Sequence, residues 1–210
     1  MAAARVVVVL VFSVVHLLGG LLAAAAPVLP PKEEEKNGVE KDGVRFEVIV
    51  PQRTWAIPED KPAGAAPVKL ALRITNRTKS PLRFTRFDTL TVEMVGPDGK
   101  DLQSTAARKG TRAVQEADCP LAKPGESVVF DIDAHLSWRD GKLWFGGADG
   151  FGGGWGFANA FGPGRYQLRI RYRDATTERT VVRGERSVLD DFWTGDVRTP
   201  LVEVVLAVSK

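Results

Sequence analysis

Apolar residues recur at every second position through much of this chain. Val44, Phe46, Val48 and Val50 form one such row, with Arg45 and Glu47 between its first members. Val68, Leu70, Leu72 and Ile74 form another, interleaved with Lys69, Ala71 and Arg73. A period of two turns one side of an extended chain to a core and the other to water. The same pattern predicts strands over 82–86, 90–94, 128–132, 166–172 and 202–208, and one short strand over 112–115. Between the rows lie Gly96-Pro97-Asp98-Gly99, Lys123-Pro124-Gly125 and Gly162-Pro163-Gly164. In such turns proline presets φ and glycine takes the left-handed corner. Beyond residue 43 no stretch holds a 3.6-residue period for three turns. Seven or so strands and no long helix therefore predict an all-β, two-layer antiparallel sandwich over 43–210, with a barrel as the alternative architecture. Phe46, Leu70, Leu72, Ile74, Leu90, Val92, Phe130, Ile132, Tyr166, Leu168, Ile170, Val204 and Leu206 are the expected core.

The amino-terminal segment breaks the pattern. Val6 to Ala26 is an uncharged apolar run behind Arg5, ending in four alanines. Positive start, apolar stretch and small residues are the layout of a secretory signal peptide, here 1–26. A retained membrane anchor is the other reading of that length. Residues 27–42, with three prolines and Glu33-Glu34-Glu35, read as a flexible linker. The expected location is periplasmic or extracellular, with membrane contact only if the apolar run stays attached.

Several stretches resemble bacterial exported immunoglobulin-like sandwich domains. They are VKLALRITNRTKSPLRF from Val68 to Phe84, LAKPGES before Val128, FGPGRYQLRIRY from Phe161, and Phe192-Trp193-Thr194-Gly195 before the last strand. The resemblance implies an immunoglobulin-like β-sandwich. There is also a distant similarity to two groups of sandwich-fold proteinase inhibitors, chagasin-like and Bacillus intracellular-type. Where the chagasin-like group carries Asn-Pro-Thr-Thr, this chain has Asn76-Arg77-Thr78-Lys79, and Gly152-Gly153-Gly154 stands for the glycine-rich loop. It has no Arg-Pro-aromatic sequence.

Charge and composition remove other classes. The formal net charge of the 210 residues is +3, too small an excess to argue for a nucleic-acid partner. The single Cys119 excludes an internal disulfide, a cysteine-rich zinc site and a C-x-x-C pair. No G-x-S-x-G, H-E-x-x-H, P-loop or EF-hand string is present, so no catalytic residue and no cofactor is expected.

The most unusual feature is the loop 144–164, WFGGADGFGGGWGFANAFGPG, with nine glycines and six aromatics. Glycine lets backbones approach closely, and aromatics offer large contact area with few torsions to freeze. Trp144, Phe151, Trp155 and Phe157, with Asn76 and Lys79, are the candidate binding residues. Two structural readings stand beside that one: the aromatics plug an open end of the sandwich, or the segment is a bulged hairpin. Asp131, Asp133 and His135 share one strand face and form the weak metal candidate. Arg165, Arg169, Arg171 and Arg173 share another face, for an anion or for charge pairing, with Asp131 and Asp133 as expected partners. Asn76-Arg77-Thr78 is a formal glycosylation acceptor. The expected function is a non-catalytic exported domain that binds a protein or cell-surface component; a proteinase inhibitor and a carbohydrate-binding module are the alternatives.

Overall fold

A computed structural model describes residues 36–60, 64–108, 110–157, 161–183 and 185–208. Residues 1–26, read as a signal peptide, and 27–35, the first part of the expected linker, lie outside the described residues. Sixteen strands follow one another among the described residues. They are β1 (Gly38–Lys41), β2 (Val44–Ile49), β3 (Thr54–Ile57), β4 (Ala65–Asn76), β5 (Leu82–Arg83), β6 (Leu90–Val95), β7 (Ser104–Arg108) and β8 (Leu121–Ala122). Then come β9 (Ser127–Arg139), β10 (Lys142–Ala148), β11 (Gly153–Phe157), β12 (Gly164–Asp174), β13 (Arg179–Arg183), β14 (Glu185–Leu189), β15 (Gly195–Arg198) and β16 (Val202–Val208).

Two packed sheets form the sandwich. One has seven strands in the order β1-β2-β4-β9-β10-β11-β7. The other is built on β12, with β6 on one side and β15 and β16 on the other. All these pairs are antiparallel; β3 adds to β16 in parallel. Two small ribbons, β13–β14 and β5–β8, complete the chain.

The period-two rows account for the layers. Phe46 lies opposite Ile74, and Val48 lies opposite Leu72, which faces Phe130 in turn. These inward side chains are all buried, as is every expected core residue except the half-buried Leu90. Each such side chain contributes roughly 1.5–3 kcal/mol by leaving water.

Three expectations are corrected at the strand level. The sheet begins at Gly38, inside the stretch read as linker, because Asp42 and Gly43 take φ of 52° and 73° and close a tight hairpin between β1 and β2. No strand occupies 112–115; the nearby strand is β7, and Arg112 instead braces a 3-10 turn at Glu116–Asp118. The strand expected over 82–86 shrinks to Leu82–Arg83, after which the chain crosses from one layer to the other.

That crossing is held by Tyr172, which is fully buried between the layers. Its ring packs on Phe46 at 5.6 Å and on Trp193 at 5.8 Å between centroids. Its hydroxyl donates to the Thr85 carbonyl and accepts from the Thr85 N–H, both at 3.1 Å. Burial pushes the phenol pKa up, so it stays protonated and able to donate. Removing the hydroxyl leaves the Thr85 N–H buried and unsatisfied, while the carbonyl keeps its bond from the Thr89 hydroxyl at 2.6 Å. Tyr172→Phe is therefore expected to cost about 1–3 kcal/mol in urea unfolding. An unchanged unfolding midpoint would mean that the crossing is held by packing alone.

Candidate functional site

The glycine- and aromatic-rich stretch folds as a hairpin of β10 and β11, with β7 on its far edge. Phe145, Phe151, Phe157 and Phe161 are buried, whereas Trp144 and Trp155 stay half-buried. The glycines have an immediate reason. Gly146 and Gly156 lie directly opposite each other, and the Trp144 indole lies over both. A Cβ on Gly156 would sit 2.2 Å from the Trp144 ring, and one on Gly146 would sit 2.4 Å from it. The Arg139 guanidinium stacks on Trp144 at 3.4 Å from the ring centroid, and the His135 ring approaches it to 5.2 Å. Trp144 is thus committed to covering bare backbone and holding a cation.

Gly147 marks where β10 leaves β9. Pairing of the two strands runs from Lys142↔Arg139 to Gly146↔His135 and stops. A Cβ on Gly147 would sit 1.7 Å from the Asp133 carbonyl oxygen, so only glycine fits at the parting. Beyond it the β10–β11–β7 ribbon diverges from β9, and a cleft of about 350 Å³ opens. Leu90 and Val92 of β6, Ile132 of β9, Ala106 of β7, Ala148 and Trp155 line it with apolar surface. Arg86, Asp88, Asp131 and Asp149 stand around it. Trp155 is held edge-on to Phe145 at 5.5 Å and to Phe157 at 6.3 Å, so its orientation is set from below.

One end of the cleft is rigid. Asp149 accepts hydrogen bonds from the N–H groups of Phe151 at 2.7 Å and Gly153 at 2.9 Å, capping the β10–β11 turn. Phe151 is buried edge-on to Phe87 at 4.9 Å, with Arg112 over its ring at 4.3 Å. Arg112 in turn grips both oxygens of Asp118 at 2.7 Å. The buried Nε of Arg86 makes no hydrogen bond.

The remaining candidate residues have other duties. Asn76 is fully buried; its amide donates to the carbonyls of Ser80 and Ala122 at 2.8 Å, and its oxygen accepts from Thr78. It is a structural plug for the β4 turn, out of reach of a glycosylating enzyme in the folded state, and within that turn Lys79 is exposed. The Asn76 turn touches Gly43, Ala122 and Gly125, whereas the Gly152 turn abuts Gly110. Phe151 and Phe157 are core residues of the hairpin. Asp131, Asp133 and His135 do share one face of β9, but among the described residues no group of three acidic, histidine or cysteine side chains converges for a metal. Asp133 lies opposite Lys69 of β4.

Three of the four arginines of β12 are charge-paired, with partners other than those expected. Arg169 bonds Glu93 at 2.6 Å, Arg171 bonds Asp196 through two contacts, and Arg165 bonds Glu203 at 2.8 Å. Asp131 and Asp133 belong to the other sheet, so they cannot reach this row. Cys119 is buried against Phe192 and Val181, and burial pushes its thiol up, which keeps it protonated.

Two measurements check this account. A Gly156→Ala variant is expected to lose about 1–3 kcal/mol because the new methyl displaces the indole. Trp144→Ala in the same chain should recover part of that loss, and a simple sum of the two single effects would show that the ring does not cover Gly156. The second concerns acid. The Arg112 bonds hold Asp118 below its ordinary 3.8, and Arg171 does the same for Asp196. Burial works to raise Glu93, but Arg169 and Arg198 outweigh it and hold Glu93 below 4.5. A carboxylate lowered on folding contributes stability that is complete above its unfolded pKa and is lost as pH falls through the folded one. Unfolding midpoints should therefore hold from neutrality to about pH 5 and fall toward about pH 3, less steeply in Glu93→Gln. A flat profile would contradict the assigned pairs. No protein-family model, no curated protein and no solved structure matches the chain.

Proposed function

We propose that this protein is a non-catalytic exported β-sandwich that binds a protein or cell-surface component at the cleft between β6, β9 and the β10–β11–β7 ribbon. The observation that carries the reading is the cleft itself. It is a concave apolar site of about 350 Å³, with a half-exposed indole and a few charged groups around it. Binding sites combine those features, and they favour loops and sheet margins set on a rigid frame. The signal-like Val6 to Ala26 supports export.

The chemistry of the aromatics favours a protein over a glycan. Sugar platforms need open aromatic faces, and Trp144 has one face against glycine backbone and a cation stacked on its ring. The inhibitor alternative loses Asn76 as a contact, because its side chain is spent inside the fold.

Site-directed photo-crosslinking in a cell-envelope extract of the source tests the reading. A benzophenone side chain in place of Ala106 or Thr91, both at the cleft, should capture one defined partner. The same group in place of Glu126, in the turn before β9, should not. Capture from Glu126 with none from the cleft would overturn the proposal.

A further inference from the structure

The cleft is bordered by strand edges as well as side chains, and their backbone groups can be assigned. In an antiparallel strand, alternate residues turn their N–H and C=O to opposite edges. Arg173 N–H donates to the Thr89 carbonyl at 2.9 Å, so Thr89, Thr91 and Glu93 face β12. Leu90, Val92 and Met94 then face outward. Leu102 N–H donates to the Met94 carbonyl at 2.8 Å, and the Val95↔Asp101 bridge covers the end of β6. Among the described residues no strand pairs with the outer edge at Leu90 and Val92.

The same reasoning applies to β9. Asn76 N–H donates to the Glu126 carbonyl at 2.9 Å, so the even-numbered residues of β9 face β4 and the odd-numbered ones face β10. His135 is the last of these to meet β10. Val129 and Asp131 present their backbones to an edge that no strand covers among the described residues. Leu90, Val92 and Asp131 all line the cleft. β7, the last strand of its sheet, forms a further wall.

We infer that the cleft takes an extended polypeptide segment, which adds as a strand along Leu90–Val92 of β6 and sets a cationic side chain against Trp155 and Asp131. This rests on the reading of the cleft as the binding surface and names the occupant. Backbone groups that exchange N–H and C=O at every second residue are matched only by another extended chain, the mode of strand addition. Charge selects its side chains. Asp131 lines the cleft with an exposed side chain on the open edge of β9. An indole beside a carboxylate suits lysine or arginine.

Hydrogen exchange on the intact protein tests this directly. The probes are capped heptapeptides of alternating Thr and Val around a central Arg, Leu or Glu, supplied at up to about 1 mM. The Arg peptide should slow exchange of the Leu90 and Val92 amides by about tenfold or more. The Glu peptide should do so least, and an Arg peptide N-methylated along one edge should fail. Trp155→Ala, checked for native folding, should weaken the Arg preference. Equal protection by the Glu peptide, equal protection by the N-methylated peptide, or no protection at Leu90 and Val92 by any peptide would each overturn the inference. Protection that rises with protein concentration in the absence of peptide would overturn it too, by making a second copy the occupant. A cleft crosslink that survives any of these results would leave the binding surface standing and remove only the strand-like occupant.

Discussion

The sandwich depends on one cluster of rings between its layers. Phe46 from the seven-stranded sheet meets Tyr172 of β12 and Trp193, with Phe46 and Trp193 only 4.9 Å apart. Such a cluster removes several hundred Å² of apolar surface from water, which is the dominant favourable term for two facing sheets. It also brings a hydroxyl into the core, and a buried hydroxyl without partners is costly. Thr85 supplies both partners from its own backbone. That arrangement fixes where the chain crosses between layers after β5, and so where β6 begins. One wall of the cleft is therefore set by a hydrogen bond made at the centre of the core.

The period-two rows reveal the main strands because each has three or four large side chains to declare its alternation. β2, β4, β9, β12 and β16 are all of that kind. β10 and β11 are illegible as strands for the opposite reason. Glycine has no side chain to mark a face, so a glycine-rich hairpin and a loop look alike until the cross-strand partner is known. Trp144 lying over Gly146 and Gly156 is the link, and it is a contact between residues on different strands. The Asp42-Gly43 pair does carry a hairpin signal, but the proline- and glutamate-rich stretch before it outweighs that signal. β3, β13 and β14 are short, and β3 pairs with β16 from the far end of the chain.

The candidate site is legible in its parts and not in its assembly. Trp155 stands out in the sequence and does line the cleft; Phe151 and Phe157 stand out with it and support the hairpin from beneath. Arg86, Asp88, Leu90 and Val92 carry no sequence signal for a site, because their role comes from the layer crossing that puts β6 opposite β11. The charge partners of the β12 arginines show the same limit. Residue type announces that Arg169 and Arg171 need acids. Strand order alone decides that Glu93 and Asp196 supply them and that Asp131 does not.

The cleft also reveals a compromise in the sheet. A strand that leaves its neighbour midway exposes backbone groups, and an exposed edge invites pairing with any other chain. Here the parting begins at Gly147, whose close approach to the Asp133 carbonyl admits no side chain. Glycine carries a cost of roughly 0.5–1 kcal/mol relative to alanine in a strand, so the parting is not what chain entropy favours. The open edge of β9 is guarded by charge: Asp131 and Asp133 stand out from its uncovered half. Carboxylates there repel acidic strands and gain nothing from neutral ones, which suppresses indiscriminate edge pairing. The same carboxylates lower the barrier for a strand that brings a cation. Under the proposed occupancy, protection against aggregation and selection of a basic extended segment are one device, since both follow from placing aspartates where the sheet leaves its backbone unpaired.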